Sequence, residues 1–88
     1  MATYTKDPAA ILDYEINWSD WLGELTIETS TWTVPSDLSQ VLDENTDTTA
    51  LVRISGGTDR LNYEVTNHIV ASNGMEDERS ITISVRNQ

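Results

Sequence analysis

The sequence predicts an all-β fold, an immunoglobulin-like antiparallel β-sandwich of six to seven strands. Three observations predict it. From Leu61 to Ile69 the chain alternates, with Leu61, Tyr63, Val65, Asn67 and Ile69 on one face and Asn62, Glu64, Thr66 and His68 on the other. That period of two is the mark of a half-buried strand. The run follows Gly56-Gly57, the only diglycine, so Tyr63 stands just past a turn at the start of a long strand. Sandwiches place a corner tyrosine there, with its ring in the core and its hydroxyl bonded to backbone a few residues upstream. Shorter β-patterned runs, separated by turn residues roughly every 8–12 positions, fill the rest of the chain without a helical stripe.

Taken in order, residues 1–9 are expected to form an extended N-terminal arm, in which Pro8 biases Asp7 away from helix. Residues 10–88 are expected to form one sandwich domain. Ile11 to Trp18 alternates with Leu12, Tyr14, Ile16 and Trp18 inward. Ser19 to Gly23 is a turn or a single helical turn, with Ser19 as cap and Gly23 as stop. Leu25 to Val34 is rich in β-branched residues, but Leu25 and Ile27 are out of phase with Trp32 and Val34. A bulge near Thr29 to Thr31 reconciles them. Pro35-Ser36-Asp37 closes that strand. Leu38 to Leu42 is a weak strand, and Asp43 to Asp47 is a polar loop. Thr49 to Ile54 places Ala50, Val52 and Ile54 in phase. Ser72-Asn73-Gly74 predicts a hairpin turn with the acidic run Glu76-Asp77-Glu78 on its tip. Ser80 to Val85 puts Ile81, Ile83 and Val85 on one face.

The chain has 88 residues, enough for one core; a domain this small buries only about 60–65% of its unfolded surface. It contains no cysteine, which excludes disulfides and thiolate metal clusters. Fifteen acidic residues against five basic give a net charge of −10. Phosphate contacts need Lys and Arg, so this balance excludes a nucleic-acid surface and disfavours an acidic membrane. The partners it allows are proteins, above all ones with a basic face, or divalent cations. No basic-then-apolar segment opens the sequence, so no signal peptide is expected. No apolar run approaches the ~20 residues that span a bilayer.

Residues able to carry chemistry are few. His68, the only histidine, lies on the outward phase with no motif fixing a nucleophile beside it. Asp43, Asn45 and Asp47 start like a calcium loop, but Thr48 stands where glycine is needed and Ile54 where glutamate is needed. Trp18 and Trp32 fall in phase with apolar neighbours and belong to the core. Trp21, in a connection, is expected to be partly exposed, as an interface anchor sooner than a sugar platform. Asp20, Glu24 and Glu28 lack the deep cleft that paired catalytic carboxylates require.

Several segments together carry a resemblance: Lys6-Asp7-Pro8, Leu12-Asp13-Tyr14, Trp18 with Trp21-Leu22-Gly23, and Trp32-Thr33-Val34. Ser55-Gly56-Gly57-Thr58, Tyr63 to Ile69 and Glu78 to Val85 complete it. The chain, roughly from Thr5 to Arg86, resembles a family of small tailed-bacteriophage structural proteins commonly labelled fibre-tail adaptor proteins. It departs from that pattern at Gly74 to Glu78, where relatives carry a basic turn.

The resemblance implies a non-enzymatic virion protein with no cofactor and no metal. It would join fibre or tailspike to the tail or neck through other virion proteins, in multiple copies of a symmetric assembly. A capsid decoration protein and a carbohydrate-binding adhesin-like module are the alternatives. The expected contact residues are Tyr4, Lys6, Asp7 and Pro8 in the arm, Trp21 and Leu22 in the first connection, and Glu76, Asp77 and Glu78 at the hairpin tip.

Overall fold

Strand β6 (Asn62–Ala71) runs inside the larger of two sheets in the computed structural model, which describes residues 2–87. Tyr63, Val65, Asn67, Ile69 and Ala71 are buried along it, and Asn62 and Glu64 are exposed. The expected alternation therefore holds from Tyr63 onward. Leu61 departs from it, being 48% exposed. It precedes the strand, in a turn where Arg60 has φ 71°; its backbone is tied in, the amide donating to the Thr58 carbonyl and the carbonyl accepting from the Val85 amide, while its side chain stays out.

The larger sheet has the order β1 (Ala2–Lys6), β7 (Glu76–Val85), β6, β3 (Ile27–Thr33). The smaller has the order β2 (Leu12–Asn17), β5 (Thr49–Gly56), β4 (Leu38–Asn45). Neighbours pair antiparallel except β1 and β7, which are parallel. A four-residue helix, α1 (Ser19–Leu22), links β2 to β3. The core lies between the sheets and is filled from β5, β6 and β7 by Val52, Ile54, Val65, Ile69, Ile83 and Val85, with Trp18 closing one end. Each such side chain contributes about 1.5–3 kcal/mol on burial, so their phase overrides weak local propensities elsewhere.

Those overrides account for the differences from the sequence expectation. Residues 2–6 are not an arm: Ala2 to Lys6 pair with Ile81 to Val85 as an edge strand of the larger sheet. With a charged residue at one of its inward positions, this strand shows no apolar alternation. Asp43, Glu44 and Asn45 are not a loop but the end of β4, held in register by Val52, Leu51 and Ala50 of β5. Only residues 46–48 turn. Glu76, Asp77 and Glu78 are not on a hairpin tip but in β7, opposite Val70, Ile69 and His68. The β3 bulge falls between Ile27 and Thr29, slightly before the expected place. Trp18, not Ser19, occupies the cap position of α1, with no side-chain cap bond. Trp32 is only partly buried, and its Nε1 is without a hydrogen-bond partner among the described residues. Met1 and Gln88, at the outer ends of the two expected segments, lie outside the described residues.

The corner tyrosine takes the expected form. Tyr63 is buried, and its hydroxyl accepts a hydrogen bond from the Thr58 amide (2.9 Å), five residues upstream. The same hydroxyl donates to the Asp37 carboxylate, which also accepts from Thr58 Oγ1 at 2.8 Å. These bonds hold the Asp37 carboxyl below the usual carboxylate range. They also tie the β3–β4 connection to the β5–β6 turn.

Candidate contact surface

β1 alternates across the edge of its sheet. Thr3 and Thr5 stand opposite Thr82 and Ser84 on the outer phase; Ala2, Tyr4 and Lys6 stand opposite Ile81, Ile83 and Val85 on the inner phase. Lys6 is fully buried. Its Nζ donates to the Gly56 carbonyl (2.8 Å) and to the Asp7 carbonyl (2.9 Å). Burial pushes its pKa down, against the opposing pull of Asp7. Lys6 thus fastens β1 to the β5–β6 turn and cannot touch a partner. Asp7 and Pro8 are half-buried in a turn closed by the Ala10 amide donating to the Asp7 carbonyl (3.0 Å). Tyr4 is 38% exposed, with its ring 5.1 Å from that of Tyr14. Burial raises the pKa of Tyr14, and its hydroxyl has no hydrogen-bond partner among the described residues.

At the other end of β2, α1 turns Leu22 into the core, so it too is removed from the expected contacts. Trp21 is half-buried, edge-on to Trp18 with ring centroids 5.7 Å apart and planes at 71°. Rings set at that angle do not make a flat platform for a sugar. Trp18 donates from Nε1 to Asn67 Oδ1 at 2.8 Å. The Arg79 guanidinium lies 4.3 Å above the Trp18 ring and also bonds the Asn17 carbonyl and the Asp20 carboxylate. That pairing holds Asp20 below the usual carboxylate range.

Glu76, Asp77 and Glu78 are exposed. Pairing of β6 with β7 places His68 between two of them: Nε2 is 2.7 Å from Glu76 Oε1 and Nδ1 is 3.2 Å from Glu78 Oε2. Only the doubly protonated ring donates to both, and the two carboxylates raise the His68 pKa above its ordinary value of 6.5. A raised folded-state pKa gives stability that is full below the unfolded value and is lost as pH rises through the folded one. The melting advantage of the wild type over His68→Gln is therefore expected to be greatest at acid pH and to shrink as pH rises above the ordinary histidine value of 6.5. Thermal melts of both proteins on either side of that value check it, and a difference independent of pH contradicts it. Among the described residues, no group of three or more His, Asp or Glu side chains is arranged to hold a metal ion.

Two of the expected contact residues, Tyr4 and Glu78, meet at one groove of about 620 Å³. It opens between the β1–β7 edge and β2, over Ile16 and Ile81, with Glu15 on its rim. Asp7 and Pro8 lie beyond the opposite end of β1, so the expected contacts do not form one patch. Neither Glu15 nor Ile16 was expected among the contacts from the sequence. They stand in the clear alternation of β2, but only the packing of the sheets brings that strand beside β7.

Three comparisons bear on this architecture. The family model described as podophage GP4 fiber-tail adaptor protein gp77 matches residues 6–84. No curated protein matches in sequence. Among solved structures, the chain is similar to part of a 2,6-sialyltransferase of Vibrionaceae Photobacterium sp. JT-ISH-224, with TM-score 0.68 and 15% identity. That likeness covers 98% of this chain and 17% of the transferase, so the chain spans only a small part of the enzyme's length. The PKD domain of the KIAA 1837 protein is similar with TM-score 0.58 and 16% identity, over 99% of this chain and 80% of that one. At these identities both likenesses show the fold alone, an immunoglobulin-like sandwich.

Proposed function

The chain belongs to the podophage fibre-tail adaptor family, and from that membership we propose that it joins the fibre or tailspike to the tail of the particle by protein–protein contacts, without catalysis. The match over residues 6–84 carries this reading, because it takes in strands of both sheets, all but most of β1 and the last residue of β7. Charge supports it: a net charge of −10 favours protein partners with basic faces over nucleic acid. Membership of that family supports a position in the tail region over the capsid-surface alternative. The contact residues we propose are the members of the expected set that solvent still reaches: Tyr4, Asp7, Pro8, Trp21, Glu76, Asp77 and Glu78. Such contacts gain strength when repeated around a symmetric assembly.

Phage particles produced without this protein are expected to lack fibres and to regain them when purified protein is added. Fibres present on the deficient particles, seen by electron microscopy, contradict the adaptor reading. A copy number in the hundreds per particle points to capsid decoration instead.

A further inference from the structure

The two sheets are unequal, with four strands facing three. On one flank β3 packs beside β4, and both of these edge strands carry a register break, at Ile27/Thr29 and at Gln40/Leu42. Bulges of this kind spoil an edge for further pairing. On the opposite flank the edges are β1 and β2, whose pairings are unbroken. The groove lies between them, at the place where a fourth strand of the smaller sheet would stand opposite β1. For want of that strand, Ala2 is exposed and Tyr4 is 38% exposed although both are on the inner phase of β1. The six residues of β2 span roughly 20 Å at ~3.3 Å per residue, and among the described residues no strand pairs with their outer edge, though Arg79 takes the Asn17 carbonyl at its end.

Resting on the adaptor reading, we propose that an extended segment of another virion protein adds to the free edge of β2 as the missing fourth strand, its apolar side chains covering Tyr4 and Ala2 and its alternate lysines or arginines facing Glu15. Strand addition takes affinity from backbone hydrogen bonds and selectivity from alternate side chains. Charge decides the occupant. Glu15 has no cationic partner among the described residues, and Glu78 adds a second carboxylate at the rim. A second copy of this chain has few cations to offer. Lys6 is buried, Arg53 and Arg79 are paired with Asp13 and Asp20, and Arg86 donates to Leu61, Val85 and Asn62, which leaves Arg60 as the one freely exposed Lys or Arg among the described residues. Two copies meeting at β2 would also oppose like charges.

The experiment adds purified protein to phage particles produced without it and measures bound protein and backbone hydrogen exchange. Glu15→Lys is expected to lower occupancy about tenfold, whereas Glu28→Lys, on the bulged β3 edge, leaves it unchanged. The amides of Asp13, Glu15 and Asn17, which face away from β5, are expected to exchange at least about tenfold more slowly on the particle than in free protein. Failure of the wild type to bind overturns the adaptor reading and this proposal together. Wild-type binding with Glu15→Lys equally bound, or with protection confined to β3 and β4, overturns strand addition alone.

Discussion

Gly57→Ala is expected to cost about 2–4 kcal/mol of folding stability, the sum of a disfavoured backbone conformation and an overpacked contact. Gly57 has φ +103°, and a Cβ there would lie 2.7 Å from Val85 Cγ2 and 3.1 Å from Leu38 Cδ2. Both neighbours are core residues with no room to retreat, since Val85 is fully buried and Leu38 nearly so. In a domain of this size each kcal/mol moves the melting point by about 4–8 °C, so a drop of about 8–32 °C follows. Gly74→Ala separates the two causes. Gly74 has φ +90° but nothing within 4 Å of its would-be Cβ, so only the backbone cost of about 1 kcal/mol applies. Adding Val85→Ala to Gly57→Ala should recover the clash: the double variant is expected to fall short of additivity by about 1 kcal/mol or more. Strict additivity in chemical denaturation would show that Val85 does not oppose the new methyl group.

The second large effect is expected at Asn67, a fully buried polar residue in the middle of β6. Its Oδ1 accepts from Trp18, and its Nδ2 donates to Ser30 Oγ (2.9 Å) and to the Thr31 carbonyl (3.0 Å). One carboxamide thereby fastens the cap of α1 to β3. Asn67→Ala leaves the Trp18 Nε1 donor unpaired in the core and opens a cavity, for about 2–4 kcal/mol. Melting should shift by about as much as for Gly57→Ala, with Trp18 emission moving to longer wavelength if water enters. Asn67→Asp is a sharper test. It keeps an acceptor for Trp18 but sets a carboxylate against the Thr31 carbonyl, and burial raises its pKa. A raised folded-state pKa gives stability that is full at low pH and falls as pH rises. Asn67→Asp should therefore approach the wild type near pH 4 and fall behind it by pH 7, in melts at about those two values.

Much of the fold was legible because it rests on local periodicity. The phase of Ala50, Val52 and Ile54, of Tyr63 to Ile69, and of Ile81, Ile83 and Val85 comes from side chains two residues apart. The corner role of Tyr63 was legible because its backbone partner, the Thr58 amide, lies five residues upstream, whereas Asp37, 26 residues away, was not foreseen. What was hidden depends on which strands become neighbours. Nothing within Ala2 to Lys6 states that β7 lies beside it in parallel, so the segment looks like an arm and Lys6 like a surface residue. Asn67 was on the inward phase, but its partners are 49, 37 and 36 positions away in sequence. Glu76 and Glu78 looked like a loop charge run because the turn signal at Asn73-Gly74 does not reveal how soon pairing resumes. The groove was hidden for the same reason: it is a property of unequal sheets, not of any one stretch.

The parallel pairing of β1 with β7 has a mechanical consequence. Ala2 is paired with Ile81 and Lys6 with Val85, so Ala2 and Val85 sit at opposite ends of the paired stretch. A pull on those two residues runs along the strands and loads all five residue pairs at once, in shear. An antiparallel pair of the same length, pulled at adjacent ends, would open one bond after another like a zip. Resistance to such a pull is set by the rate of unfolding and not by equilibrium stability. A pull applied at Ala2 and Val85 therefore meets the five pairs together, with the buried Lys6 Nζ as a pin at the far end of β1.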